Sequence, residues 1–435
     1  MTKWAKDQKW QTGIGAGIVF LSLLLTQFML PLTVAGKTMY LYHVEFFVIL
    51  LFLAACVHLL VKREKVNLRV TEFVLLGLFL LWFLVLTVYR YLDSGNITGG
   101  FIVMRVMVFP IVLVLLFRQY RVSRKSVFAG LLLFVTCVNV YQIISLFRTV
   151  HSFRQLKGLQ NINIYLCFTL AALPMIISFA SSYKNSCKWK CSLAKVVAYF
   201  NIFAIICFSL FSGSRIAGIM CPVVGIGSFF LANGISKKSV VSFLIVLALL
   251  TVLICGILLL DVYDARIDFF RTAGPVISAA DINVSSMGSG GELQETGNSV
   301  TDSNSMRGAL WEKSIAYIKE NPIFGRSSID IDCEMHFSGS KEPTKIVQSP
   351  HNFILEMWLS LGLPGMLLYL LMVGLCALKI LFGKMAASRK GLYLLTMFAV
   401  FGFSFFQPLV TSYFAVSLIL WFAMYIFAQV PDSQK

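Results

Sequence analysis

KKSVVSFLIVLALLTVLICGILLL, residues 237–260, decides the class of this protein. From Ser239 to Leu260 no residue is charged. A helix rising 1.5 Å per residue crosses the hydrocarbon core of a bilayer with ~20 mostly apolar residues. This stretch has that length and no second way to bury itself. Outward from it the same pattern recurs at 13–30, 40–61, 71–89, 100–117, 127–147, 163–181, 196–212, 216–232, 364–382, 391–407 and 412–429. The whole chain agrees. Of its 435 residues 58% are hydrophobic and only 13% charged, and its mean hydropathy is +0.81. A soluble domain carries ~25% charged residues. Too little polar surface exists here to coat a globule, so a cytosolic enzyme, a disordered chain and a secreted disulfide scaffold are excluded. The expected fold is all-α: a polytopic integral membrane protein of about 12 transmembrane helices.

Charge placement orients it. Lys3, Lys6 and Lys9 precede the first span, and no small-residue cleavage site follows, so this span is expected to be retained. With the N-terminus in the cytoplasm, the inner segments hold 22 of the 37 Lys and Arg residues and the short outer segments hold 6. Basic residues gather on the cytoplasmic side. Both termini are thus expected inside, and the net charge of +17 reads as topology and anionic-lipid contact rather than a nucleic-acid footprint. The ten cysteines are scattered, with no disulfide framework, and Cys187 and Cys191 have no common zinc spacing.

The layout is lopsided. Residues 1–260 hold nine spans, 261–350 form one long outer loop, and 351–435 hold a short surface helix and three spans. A loop this long is functional or disordered. Residues 281–304 are rich in Gly, Ser, Thr and Asn and read as a mobile segment. Residues 305–320 read as an amphipathic helix, capped by Ser303 or Ser305 and ended by Pro322 and Gly325. Its apolar side is Leu310, Trp311, Ile315 and Ile318, and Arg307 shares a face with Trp311, four residues on. The loop then enters QSPHNFILEMWLSLGLPG, residues 348–365. Ser349 as N-cap and Pro350 as first helical residue put His351 at the second helical position. The positive helix end there favours a neutral imidazole, able to take a proton. This helix is expected to stop near Gly362, before the next span.

Ionisable groups in or beside spans are expensive and default to functional candidates. His43, Glu45, Arg105, Asn139, Gln142, Arg148 and Arg215 fall in the outer half, with His151, Arg154 and Lys157 in the next outer loop. Arg105 and Glu45 equally read as a simple pair, and the loop cations as solvated charges. Arg215 is harder to dismiss, because the tight turn SGSRIAG between two apolar spans needs no guanidinium. The long loop is net negative, so positive charge collects at the membrane rim and suits an anionic lipid head group. A rival set, Asp330, Asp332, Glu334 and His336, alternates and would share one face of an extended segment. It reads better as an acidic loop face than as a metal site.

Three segments then carry a likeness: SGSRIAG around Arg215, SMRGALWEKSIAYIKENPIFG around Arg307 and SPHNFILEMWLSLGLPGMLLYL around His351. With these, the chain resembles the O-antigen ligase and O-antigen polymerase superfamily of bacterial envelope-glycan enzymes. The resemblance implies a metal-independent, inverting transfer at the outer face of the cytoplasmic membrane, with no cofactor. The donor is a glycan on undecaprenyl pyrophosphate. The acceptor is a sugar hydroxyl of the lipid A core of lipopolysaccharide, or of a second lipid-linked repeat unit, as in capsule and O-antigen polymerases. It also implies that His351 activates the acceptor and that Arg215 and Arg307 bind the pyrophosphate. Arg105, Arg148, Asn352 and Trp311 stand as supporting residues. The surplus of rim arginines tilts the reading slightly to a polymerase, which holds two lipid-linked substrates. The competing reading is a transporter or flippase for a lipid-linked or anionic solute, and it lacks the paired broken spans of two related halves.

Overall fold

A computed structural model describes residues 3–34, 37–63, 65–66, 70–94, 98–150, 159, 161–182, 188–260, 293–326, 331–335, 344–407 and 409–428. A helix stands at each of the twelve expected stretches. These are α1 (Lys3–Leu25), α2 (His43–Lys62), α3 (Val70–Ser94), α4 (Thr98–Gln119), α5 (Arg124–Ser145), α6 (Ile162–Ser182), α7 (Lys188–Phe211), α8 (Arg215–Asn233) and α9 (Lys237–Leu260). After the long loop, which contains α10 (Leu293–Glu320), come α11 (Phe353–Phe382), α12 (Ala387–Phe406), the short α13 (Leu409–Ser412) and α14 (Phe414–Ala428). Eight of these helices are long and apolar enough to cross a membrane by length and composition. The chain is therefore a mainly helical integral membrane protein.

The chain is not wholly α. Two antiparallel hairpins interrupt it, β1 (Met29–Val34) with β2 (Lys37–Tyr42), and β3 (Ile331–Met335) with β4 (Thr344–Gln348). The first shortens the expected spans on either side: α1 ends at Leu25, and α2 begins at His43. Leu32, Thr33 and Val34 extend the apolar run, but they are β-branched or follow Pro31, and pair as strand instead.

Helix α6 lies at the centre, packed against α7, α8, α12 and α14. Small residues let neighbours close up, as is usual between membrane helices. A Cβ on Gly130 of α5 would lie 2.4 Å from the Ala16 carbonyl oxygen of α1. The Asn139 amide of α5 donates to Asn201 of α7 at 2.7 Å and accepts from the Tyr165 hydroxyl of α6 at 2.6 Å. Asn139, a rim candidate from sequence, is thus absorbed into helix packing. The two ends of the bundle differ. At one end Glu72 of α3 takes both Arg118 of α4 and Lys379 of α11. At the other end Arg215 begins α8 and the loop helix docks.

Candidate functional site

Helix α10 begins at Leu293, not near residue 303, so the mobile segment expected over 281–304 is helical in its second half. Residues 281–292 lie outside the described residues, as do His151, Arg154, Lys157, Asp330 and His336. The amphipathic reading of α10 holds with one change. Leu310 and Ile318 are buried together with Ser314 between them, against Ile331 of β3 and Leu359 of α11, while Ile315 is 43% exposed. The buried stripe runs at i, i+4 and i+8, which leaves Ile315 on the far side.

The start of α11 corrects the sequence reading. Ser349 and Pro350 do not open it. Asn352 is the N-cap, and its side-chain oxygen accepts from the N–H of Ile354 at 3.0 Å and of Leu355 at 3.3 Å. Asparagine is among the best caps. The Pro350 carbonyl is committed elsewhere, accepting the Trp311 indole N–H at 2.7 Å. His351 therefore precedes the helix instead of lying within it. Its φ is 51°, left-handed backbone that histidine adopts more readily than most residues. Trp311 and Asn352, two of the expected supporting residues, thus hold the turn in which His351 sits.

The structure brings Arg215, Arg307 and His351 together from three distant segments, and all three are half-buried. The side chain of Arg307 is held below the usual guanidinium range by burial and by the Arg215 charge. The imidazole of His351 is held below its usual value by burial and by the Arg307 charge. The neutral histidine expected from sequence is favoured, but the cause differs: desolvation and a neighbouring cation rather than the field of a helix end. Its Nε2 lies 3.2 Å from Oε1 of Gln348, the last residue of β4. Two positive charges beside a neutral imidazole make a local positive potential that suits an anionic ligand.

The other candidates fall away from this cluster. Nη1 of Arg105 lies 3.0 Å from Oε2 of Glu45, a buried pair joining α4 to α2, so the pairing reading stands. Arg148 is exposed on the π-helical turn Leu146–Val150 that ends α5. His43 is exposed and packs its ring edgewise on Phe28. Asp332 and Glu334 do lie in an extended strand, as their alternation predicts. Among the described residues, no group of three or more His, Cys, Asp or Glu could hold a metal.

What positions the cluster was not read from the sequence. The turn after α10, Asn321–Arg326, plugs into a break in α11 at Gly362, where φ is 66° and ψ 174°. Phe324 stacks on Tyr89 of α3 with ring centroids 4.0 Å apart. The buried Arg90 of α3 donates from Nη2 to the Phe324 carbonyl at 2.9 Å and to the Leu359 carbonyl at 3.0 Å. Arg326 N–H also reaches the Leu359 carbonyl, at 2.7 Å. Below the cluster, Glu356 is 1% exposed and accepts from Thr411 and Ser412 of α13. A lone carboxylate in an apolar helix was the available signal for Glu356. Arg90 gave none, because its partners are backbone carbonyls more than 230 residues away, and Gln348 gave none, because only the turn at His351 brings the imidazole back to its amide.

Fold and cluster define an integral membrane protein with a cationic, histidine-bearing site at one end of its helical bundle. In sequence comparison, residues 200–370 match the model of a family described as O-antigen ligase, and this segment contains all three clustered residues. A curated relative from Haemophilus influenzae, described as an uncharacterized protein, is 26% identical over 269 residues, covering 60% of this chain and 61% of its own length. No solved structure matches. At the level of the family, the domain supports a membrane glycan-transferring function.

Proposed function

We propose that the protein transfers a glycan from undecaprenyl pyrophosphate to a sugar hydroxyl at the outer face of the bacterial cytoplasmic membrane, as a repeat-unit polymerase. The observation that carries the reading is the meeting of Arg215, Arg307 and His351, from α8, α10 and the turn before α11, inside the family-matched segment. Attack on an anomeric carbon needs a base at the acceptor hydroxyl and stabilisation of the departing pyrophosphate. His351, held neutral, takes the acceptor proton. Arg215 and Arg307 neutralise the leaving group through charge-assisted bonds, which a guanidinium makes in pairs to phosphate oxygens. The C–O bond to the acceptor forms as the glycosyl–pyrophosphate bond breaks, with inversion, and the proton rests on His351. In this reading the tautomer with Nε2–H donating to the Gln348 amide oxygen, 3.2 Å away, leaves the lone pair on Nδ1 to take the proton.

The test is direct. Purified protein in nanodiscs receives a lipid-linked repeat unit alone, with EDTA, and products are resolved on a gel. A ladder that His351→Ala abolishes supports the polymerase. Transfer only when a lipid A core acceptor is added makes the protein a ligase. No consumption under either condition overturns glycan transfer and leaves transport of the lipid-linked substrate.

A further inference from the structure

We infer that a groove between α7, α8 and α9 binds an anionic glycerophospholipid in the leaflet opposite the Arg215 cluster. The cavity has a volume of about 570 Å3. It is lined from Lys195 to Leu210 on α7, Cys221 to Asn233 on α8 and Lys238 to Ile254 on α9. Fifteen helical steps from Lys195 to Leu210 make it about 22 Å long, enough for one extended acyl chain. Its body is apolar, with Tyr199, Ile206, Phe229, Phe243 and Val246 among the walls.

The groove exists because α8 is thin on that face. Pro222 interrupts the helix ladder. Gly225 has no side chain, and a Cβ there would meet only Leu173 Cδ2, at 4.0 Å. The lysines lie at one end only. Lys195 is half-buried and Lys238 exposed, both at the mouth, beside Asn233, Ser236 and Ser239. The neutral polar groups are bonded within the protein: the Ser236 and Ser239 hydroxyls lie 2.7 Å apart, and the Asn233 amide donates to the Phe229 carbonyl at 2.9 Å. Among the described residues no carboxylate pairs with either ammonium.

An apolar channel with two ammonium groups at its mouth selects an amphiphile with an anionic head. Basic pockets between membrane helices bind such head groups. The mouth is at the C-terminal end of α8, whereas Arg215 is its first residue. The ligand is therefore a structural lipid of the other leaflet and not the transfer substrate, and the inference stands independently of the proposed reaction.

Native mass spectrometry of the full chain, in detergent with equal phosphatidylglycerol and phosphatidylethanolamine, reads it out. Each lysine near a head group contributes about fivefold in binding. The wild type should retain one phosphatidylglycerol preferentially, and Lys195→Ala with Lys238→Ala should lose about 25-fold of that preference. Val246→Trp, which fills the groove, should lose the lipid altogether. Monodisperse elution verifies folding. Should Val246→Trp misfold, the Lys195 and Lys238 double variant alone decides. Equal retention of both lipids, an unchanged lysine variant, or displacement of the phosphatidylglycerol by undecaprenyl phosphate overturns the inference.

Discussion

Gly362→Ala should uncouple the two halves of the site without touching any group in it. Gly362 has φ 66° and ψ 174°, a region nearly restricted to glycine, and a non-glycine residue there costs about 1–3 kcal/mol. The space is also closed: a Cβ would lie 1.9 Å from the Ile323 carbonyl oxygen. Backbone must move by more than an ångström, and that displaces the Asn321–Arg326 turn. The turn is held by Leu363 N–H to the Pro322 carbonyl at 3.2 Å, Trp358 Nε1–H to the same carbonyl at 2.9 Å, and the Arg90 and Arg326 bonds. Losing two or three bonds at ~1 kcal/mol each brings the total to about 3–6 kcal/mol. The turn connects α10, with Arg307, to α11, with His351 before it. A misplacement of 1 Å costs about 100-fold in rate. The assay is lipid-linked ladder formation in nanodiscs beside a thermal melt. Gly374→Ala is the control, because it lies in the same helix with nothing within 4 Å of its Cβ. It should be neutral or gain up to about 1 kcal/mol from helix propensity. A Gly362→Ala protein with wild-type melting and wild-type rate would refute the docking argument.

Further tests concern the cluster and the bundle. His351→Ala should lower the rate by about 100- to 10,000-fold, the typical contribution of a general base, with membrane insertion unchanged by protease mapping. Because burial and Arg307 hold the imidazole below its usual value, the acid limb of kcat/KM should lie at lower pH than that of an ordinary histidine. Arg307→Gln removes the neighbouring cation, which stabilises the imidazolium, so the acid limb should move to higher pH. A limb that stays put would separate Arg307 from His351. Arg215→Lys should cost at least about tenfold, since a point charge cannot make the paired bonds of a guanidinium; an unimpaired variant would reduce Arg215 to topology. Gln142 of α5 is fully buried with neither amide atom bonded among the described residues. Gln142→Met should therefore raise the melting temperature, and a fall would reveal a polar partner.

Much of the architecture was legible because a bilayer allows few solutions. Apolar length alone located a helix at every expected span, and the run ENPIFG ended α10 where its proline and glycine require. Helix starts were harder. Ser349-Pro350 and Asn352 are both good caps in one short stretch, and local chemistry does not choose between them. The choice fell to Trp311, which takes the Pro350 carbonyl from 39 residues away. The Ser, Thr and Asn letters of 293–304 gave no hint that α10 extends through them.

The sequence by itself determined that the chain lives in a membrane, which apolar stretches are helical, and which arginines and histidine are costly enough to need a reason. Those are properties of transfer free energy, set by each residue and its immediate neighbours. Only the tertiary structure decided which of those charges meet. Arg105 was withdrawn by Glu45, Arg148 was left exposed, Arg307 came to lie beside both Arg215 and His351, and a turn anchored on Tyr89 and Arg90 docks α10 on α11. Electrostatic interaction and desolvation depend on distance in space, and no spacing along a chain supplies that distance before the helices have packed.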